Sequence, residues 1–212
     1  MSDHMDNPAD LVCDFVNTYD VESDTDSIPS PAALTAWLGG RGLIGPGDSA
    51  GDADVSLAAD LREALRAALR HNHDRAGTHG RAGNGPGGNG DGPGGDRDPV
   101  QDGAEERRPG PSRPFAALPL RVALTASGPV LEPVSTGVPG ALAGIAAAVM
   151  GAHADGRWPR LKVCAESTCQ WAFIDSSKNR SRSWCSMRVC GNRTKTRAYR
   201  ARRQTETDSR HP

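Results

Sequence analysis

Four of the five cysteines lie in the last quarter of the chain, in two pairs with the same internal spacing. Four residues separate Cys164 from Cys169, fifteen follow, and four separate Cys185 from Cys190. Two such pairs are typical of a tetrahedral Cys₄ zinc site in which a turn carries each pair. Because four thiolates leave no open coordination position, we expect one structural Zn²⁺ and no catalytic metal.

Two other interpretations of these cysteines are open. They could be unconnected core thiols, or they could sense redox changes in addition to binding zinc, because basic surroundings favour the reactive thiolate. The fifth cysteine, Cys13, lies in an apolar stretch with Leu11, Val12 and Phe15 as neighbours. We expect it to be a small buried core residue.

The residues after the second cysteine pair favour a basic helix. We expect Gly191 to allow a tight turn and Asn192 to cap a helix that runs to about Arg203, so that the zinc site fixes the start of the helix. Arginine makes bidentate contacts with phosphate or with a guanine edge, and lysine contacts phosphate. The candidate nucleic-acid contacts on the helix and on the connection before it are Lys178, Arg180, Arg182, Arg193, Lys195, Arg197, Arg200 and Arg203.

Charge is divided unevenly along the chain. The formal net charge is −1, but residues 157–203 carry thirteen Lys and Arg against two acids, a net charge of +11, and the remainder carries −12. This division indicates a polyanion-binding segment on an acidic body. The alternative is a solvated basic tail without a specific partner. Trp171 and Trp184 could stack on bases or form the small core of the zinc segment, and Arg193 could be structural.

Apolar residues at helical spacing predict three helices before the middle of the chain. Leu11 and Phe15 mark the first helix, and Pro31 starts a second that a pair of glycines ends. In the third helix leucine recurs at every fourth position, with Asp54 or Ser56 as the N-cap and a solvated basic end. The leucines are Leu57, Leu61, Leu65 and Leu69, and the basic residues are Arg66, Arg70 and His71.

The composition changes between residues 76 and 114. This segment holds twelve glycines and six prolines in thirty-nine residues and almost no large apolar side chain. Such a segment buries too little surface to offset the entropy lost on ordering. We therefore predict a disordered insertion in a surface loop, where long insertions are tolerated.

A β-hairpin and a further helix are predicted after this insertion. Apolar residues alternate along residues 120–124 and 130–134, on either side of a Ser-Gly-Pro turn at 127–129. A helix rich in small residues, with Leu142 and Ile145, follows and could pack against the hairpin and the third helix. The predicted fold class is α+β. A mostly helical domain with a β-hairpin spans residues 1–156, a Cys₄ zinc module ending in a basic helix spans 157–203, and a disordered tail spans 204–212.

Three polar residues cluster on the otherwise apolar first helix. Asp14, Asn17 and Thr18 could form a ligand site, or they could make hydrogen bonds between helices of the domain. The segment that follows the insertion shows no P-loop, dinucleotide-binding or HExxH motif, and no base–nucleophile pair is visible, so we expect no catalytic residues. It opens on an acidic stretch and has no run of about eighteen apolar residues, and we expect a cytoplasmic protein with no membrane span.

The C-terminal segment resembles the CGNR zinc-finger family. The resemblance rests on residues 184–187 (Trp-Cys-Ser-Met), on the basic residues that follow the second pair, and on residues 190–193 (Cys-Gly-Asn-Arg), which give the family its name. In that family the finger follows an ABATE domain, described as a stress-induced transcription regulator. Residues 14–18 (Asp-Phe-Val-Asn-Thr) and 31–43 are similar to the opening of that domain, whereas the glycine-rich segment 76–114 departs from its compact pattern.

The residues and the resemblance together favour a zinc-dependent DNA-binding transcription regulator. The zinc module would bind DNA, and the acidic body would sense a small ligand or a protein partner. A homodimer is a candidate state, because a single short basic helix gives weak affinity. The alternative is a zinc module that binds RNA or an acidic protein without sequence-specific DNA recognition. An enzyme has the least support, because all four cysteines are committed to zinc.

Overall fold

The computed structural model describes residues 7–78, 113–126 and 128–208. The larger helices are α1 (Pro8–Val16), α2 (Pro31–Gly40), α3 (Asp52–Thr78), α5 (Gly137–Ala154) and α6 (Asn192–Asp208), and α4 (Arg113–Ala116) is a single turn. Three antiparallel strand pairs accompany them: β1 (Tyr19–Asp20) with β2 (Thr25–Asp26), β3 (Leu120–Thr125) with β4 (Gly128–Pro133), and β5 (Leu161–Val163) with β6 (Ala172–Ile174). This mixture of helices and small sheets confirms the predicted α+β class.

A side-chain N-cap and a proline start each of the first two helices, and the prediction that Pro31 starts the second one is confirmed. The side chain of Asn7 accepts a hydrogen bond from the Ala9 N–H at 3.1 Å and caps α1, and Ser30 Oγ caps α2 through the Ala33 N–H at 3.3 Å. A proline occupies the first turn of each helix, where its fixed φ and missing N–H are no disadvantage. The glycines at the end of α2 are its last residues.

Helix α3 begins earlier than its sequence predicts. It starts at Asp52, so Asp54 and Ser56 both lie inside the helix and neither is the N-cap. The Asp54 carboxylate instead accepts a hydrogen bond from the Gly51 N–H at 2.8 Å, in the manner of a capping box. The helix runs through residues 76–78, and α4 includes residues 113–114, so both ends of the predicted insertion are helical. Residues 79–112 of that insertion lie outside the described residues.

One apolar core joins the helices. Phe15 of α1, Leu65 of α3 and Ile145 of α5 are fully buried in it. Helix α5 approaches α1 closely at Gly151, where an added Cβ would lie 2.9 Å from Pro8 Cγ. Among the described residues, α5 is the one helix long and apolar enough to cross a membrane by length and composition, and its buried leucine and isoleucine are part of this core.

The hairpin β3–β4 packs against α5 through β4, as its sequence indicates. Its register pairs Val122 with Leu131 and Leu124 with Pro129, which places apolar residues of both strands on one face. Toward the turn this face leaves the body, and the side chain of Leu124 is 85% exposed.

The last strand pair belongs to the same core although it carries the first cysteines. Leu161 and Val163 of β5 and Ala172 of β6 are buried with the residues of α1, α3 and α5. β5 packs against α3, and β6 packs against α1. The segment that holds the cysteines is therefore built directly onto the body.

Candidate metal centre and basic surface

The four C-terminal cysteines converge on one small volume. Their sulfur atoms all lie within 4.8 Å of one another, and Cys164, Cys169 and Cys190 are buried. Cys185 Sγ lies 3.6 Å from Cys169 Sγ and 3.7 Å from Cys190 Sγ. A tetrahedron of sulfurs around Zn²⁺ at about 2.3 Å has edges of about 3.8 Å, whereas a disulfide would need about 2.05 Å. The geometry fits a Cys₄ zinc site and no disulfide.

The electrostatics of the cluster also fit a metal. Burial raises the pKa of the Cys169 thiol to about 12. Burial, followed by the hydrogen bond with Cys169, raises the pKa of the Cys185 thiol as well. Thiolates this close repel one another unless a cation compensates their charge, and zinc supplies that compensation while the folded module supplies the ligands. One structural Zn²⁺ is the ion that this donor set fits.

The first cysteine pair is held by a turn that follows β5. The Cys164 N–H donates to the Trp171 carbonyl at 2.9 Å, and the Cys169 N–H donates to the Glu166 carbonyl at 2.9 Å. Gln170 has a φ of +50°, which returns the chain toward β6. The turn therefore brings Cys164 and Cys169 to the end of the β5–β6 pair.

The second pair is carried by a π-helical turn, Met187–Gly191, that continues into α6. Ser186 is the N-cap of this turn, because its Oγ accepts a hydrogen bond from the Val189 N–H at 3.3 Å. The prediction that Asn192 is the N-cap is wrong. Asn192 has helical φ and ψ of −68° and −38°, and its side-chain amide donates to the Arg188 carbonyl at 3.0 Å.

Gly191 also differs from its prediction. It lies within the π-helical turn and makes no tight turn. An added Cβ at this position would lie 2.5 Å from Met187 Sδ, so the glycine allows a close approach of the methionine. The π-helical turn thus begins between Cys185 and Cys190 and continues directly into α6. This continuity ties the direction of α6 to these two metal ligands.

Polar side chains of α3 fasten the metal module to the body. Arg66 is 1% exposed and donates to the Gln170 carbonyl at 2.9 Å and to the Val16 carbonyl at 2.9 Å. Asn72 Nδ2 donates to the carbonyls of Trp158 and Leu161 at 2.8 and 3.1 Å. The prediction that the basic end of α3 is solvated is therefore wrong for Arg66. Its guanidinium donates hydrogen bonds to carbonyls of both the body and the metal module.

The three candidate ligand residues of α1 have separate surroundings. Asn17 makes two hydrogen bonds with the Ala172 backbone, at 2.9 and 2.7 Å, and joins α1 to β6. Thr18 Oγ1 donates to the Phe15 carbonyl at 2.7 Å. The side chain of Asp14 is 60% exposed and lies 3.4 Å from Arg41 Nη2. The structure does not bring the three side chains together, and a ligand at this place stays a prediction.

A buried ion pair organises the connection between β6 and the second cysteine pair. Lys162 and Asp175 are 1% and 0% exposed, with 2.7 Å between Nζ and Oδ2. Lys162 Nζ also donates to the Arg180 carbonyl, and the Arg182 N–H donates to Asp175 Oδ2 at 3.0 Å. Burial alone would raise the pKa of Asp175, but the hydrogen bonds from Lys162 and Ser177 outweigh it and lower the pKa to about 2. The pair holds the loop of residues 177–182 in place.

A second buried carboxylate fixes α6 to the first cysteine turn. Glu166 is 1% exposed and accepts hydrogen bonds from Thr194 Oγ1 and Arg197 Nη1, each at 2.9 Å. Burial opposes its ionisation, but these hydrogen bonds lower the pKa of Glu166 to about 2. Glu166 and Asp175, the two acids of the basic segment, are therefore buried and hold neighbouring elements together. Nothing in their sequence spacing distinguished them from surface charges.

The eight predicted nucleic-acid contacts fall into two groups, and the first group has partners within the protein. Arg182 donates to the Trp184 and Cys185 carbonyls and lies over the Phe173 ring. Arg193 pairs with Glu22 at 2.7 Å, and Arg197 pairs with Glu166 at 2.9 Å. Arg203 lies over the Tyr199 ring, 5.9 Å from its centroid.

The second group is exposed, and no side-chain partner is seen for it in the part of the chain that the structure describes. Its members are Lys178, Arg180, Lys195 and Arg200. Arg188, on the π-helical turn, is exposed in the same way and was not among the predicted contacts. One face of α6 lines an open groove of about 460 Å³ that combines both groups: Arg193, Thr196, Arg197, Arg200 and Gln204.

The two tryptophans of the segment differ in their surroundings. Trp184 packs against the buried cysteines and forms a small apolar cluster with them, whereas Trp171 is 39% exposed. Trp184 thus takes the role of the module's own core, which was one of its two predicted roles.

Comparison with known protein families agrees with this architecture. Residues 160–203 match the model of the CGNR zinc finger. Residues 9–162, more than half of the chain, match the model of the ABATE family, which carries the description "Putative stress-induced transcription regulator". No curated protein matches the chain. The chain thus belongs to the ABATE family, and its metal centre is that of a CGNR zinc finger.

Proposed function

We propose that this protein is a zinc-dependent, DNA-binding transcription regulator in which the zinc is structural and the cations around α6 contact DNA. The observation that carries the proposal is the continuity of the π-helical turn with α6. Cys190 lies in the turn, and the groove residues Arg193, Arg197 and Arg200 follow within three helical turns. Zinc binding thereby sets the direction of a helix whose exposed side is strongly basic.

The exposed cations are suited to phosphate contacts. These cations are Lys195 and Arg200 on α6 and Lys178 and Arg180 on the loop of residues 177–182. Among the residues that the structure describes, none has a side-chain partner that it would have to exchange for a phosphate. Each cation that neutralises a phosphate releases counterions, so binding through this surface weakens as salt rises. The buried Lys162–Asp175 pair fixes the loop that carries Lys178 and Arg180 to the β5–β6 pair, which supports a defined position for these two cations.

The body supplies the second half of the proposed function. The chain outside residues 157–203 carries a net charge of −12, which disfavours non-specific attachment of the body to a polyanion. A family description of transcription regulation supports a body that senses a small ligand or a protein partner. Dimerisation of the chain is part of the same proposal, because one short helix reads few base pairs.

Matched double variants of the full chain test the DNA-binding surface. We expect Lys195→Gln with Arg200→Gln to weaken binding of a mixed-sequence DNA duplex about tenfold at low salt and to reduce the salt slope by about two. Arg113→Gln with Arg121→Gln removes the same charge from exposed sites outside the zinc module and is the control. Fluorescence anisotropy at several salt concentrations measures both quantities.

Two results would overturn this proposal. One is equal loss of affinity in the two double variants, which would mean that only net charge matters. The other is preference for single-stranded RNA over duplex DNA in direct competition, which would select the RNA-binding alternative.

A further inference from the structure

The β1–β2 hairpin of the body touches the basic groove at one defined point. Glu22 lies in the turn between its strands, and its Oε1 is 2.7 Å from Arg193 Nη2, across 171 residues of sequence. The two side chains are 45% and 34% exposed, so the pair is accessible to solvent and to a ligand. Arg193 also lines the groove with Arg197 and Arg200. An acidic residue of the body, Glu22, is thus paired with one of the cations that line the groove.

The turn that carries Glu22 is ordered by its own hydrogen bonds. Asp20 Oδ1 accepts hydrogen bonds from the Glu22 and Ser23 N–H groups at 2.9 and 3.4 Å. Tyr19 OH donates to Asp24 Oδ1 at 2.6 Å, and Asp24 has a φ of +53°. These contacts hold the turn in one conformation, so little entropy is lost when the Glu22 carboxylate meets Arg193.

The same hairpin is tied firmly to the body. Arg62 of α3 donates to both carboxylate oxygens of Asp26 at 2.8 Å, and Arg66 donates to the Tyr19 carbonyl at 3.0 Å. The base of the hairpin is therefore fixed to α3, and Glu22 near its tip is the point at which the hairpin meets α6.

We propose that the turn of residues 20–24 is an autoinhibitory contact in which Glu22 competes with a nucleic-acid phosphate for Arg193. A guanidinium binds carboxylate and phosphate oxygens in the same fork geometry, so the two anions exclude each other at this side chain. The inference rests on the proposed DNA-binding function. Withdrawal of the turn from α6 would free one groove cation and remove one negative charge from beside the DNA, and the body would thereby regulate affinity.

The test is DNA binding by the full zinc-loaded chain with Glu22→Gln. Glutamine keeps the size of the side chain and removes its charge, so we expect affinity for a mixed-sequence duplex to rise about three- to tenfold and the salt slope to increase by about one. Asp60→Asn makes the same charge change at an exposed position of α3 with no side-chain contact in the described part of the chain. We expect it to change affinity less than twofold.

A double-mutant cycle separates competition from general charge. In the Arg193→Gln background, Glu22→Gln should give no further increase in affinity, because the contested cation is already absent. Zinc content, measured for every variant, shows that the module is intact.

Four outcomes would overturn the inference. If Glu22→Gln lowers affinity or causes zinc loss, the contact is a structural clamp. If the increase persists in the Arg193→Gln background, the effect is long-range charge. If the wild-type chain binds the duplex and Glu22→Gln leaves affinity unchanged, only the inference fails, whereas absence of binding in every variant would overturn the proposed function as well.

Discussion

Several charged residues around the zinc site are buried and hold neighbouring loops and helices in place. The composition of the segment would instead indicate that its charges are exposed to solvent. Lys162, Asp175 and Glu166 lie in the basic segment and contribute to its net charge of +11, yet all three are buried. A buried charge is tolerated only where partners compensate for lost hydration. Here each one holds a loop or helix that carries exposed cations.

Asp175→Asn should destabilise the chain by about 3 kcal/mol, because it leaves the Lys162 ammonium buried without a counter-charge. Urea unfolding of the zinc-loaded chain at neutral pH measures the effect, with Asp60→Asn as an exposed control that we expect to be nearly neutral. An Asp175→Asn protein as stable as wild type would contradict the assigned role of the pair.

The stability difference between the wild-type chain and Asp175→Asn should also depend on pH. The folded pKa of Asp175, about 2, lies below its usual value of 3.8, so its contribution is present above pH 3.8 and is lost as pH falls toward 2. The stability difference between wild type and Asp175→Asn should therefore narrow over that interval. A difference that stays constant from pH 4 to pH 2 would show that the ionised carboxylate is not its source.

Among the elements, the π-helical turn sets the start of α6, the helix that we propose contacts DNA. Ser186 caps that turn, whereas Asn192 lies inside continuous helix. We expect Ser186→Ala to cost about 1 kcal/mol, as the loss of an N-cap does, and Asn192→Ala to cost less, since it removes only the bond to the Arg188 carbonyl. Thermal unfolding of the two variants measures the difference. The reverse order would restore Asn192 as the cap.

Patterns within single elements predicted most of the fold. Leucine at every fourth position identified α3, alternation identified β3 and β4, and cysteine spacing identified the zinc ligands, because each signal is contained in a short stretch of chain. The cap of α6 was misplaced because a π-helical turn has no strong sequence signal of its own, and the Cys-Gly-Asn-Arg run looks like a turn followed by an N-cap. The start of α3 was misplaced because Asp54 bonds backward to Gly51 from within the first turn.

Contacts between distant elements could not be predicted in the same way. Arg66 and Asn17 join the body to the metal module. An arginine on a helix is usually solvated, and nothing in the local sequence indicates that the carbonyls of Gln170 and Ala172 are the partners of these two side chains. The internal pairing of Arg193 and Arg197 depends on Glu22 and Glu166, which lie 171 and 31 residues away from them in sequence.

For the whole molecule, the metal module and the body are one packed unit. Leu161, Val163 and Ala172 lie in the main core, so a cut at the predicted boundary between residues 156 and 157 would remove part of that core. Experiments on DNA binding therefore call for the full chain. In that chain, loss of zinc should release the second cysteine pair and α6 while the core around α1, α3 and α5 keeps its apolar contacts.

The affinity of the full chain for duplex DNA, measured with and without zinc, tests whether the metal organises the DNA-binding surface. Treatment with a strong zinc chelator leaves every Lys and Arg in place and removes only the ion that organises the four thiolates. We predict that affinity measured by fluorescence anisotropy falls at least about tenfold on chelation and recovers when zinc is restored, because the exposed cations lose their fixed arrangement. Equal affinity of the zinc-loaded and chelated chains would contradict the account, since charge alone would then explain binding.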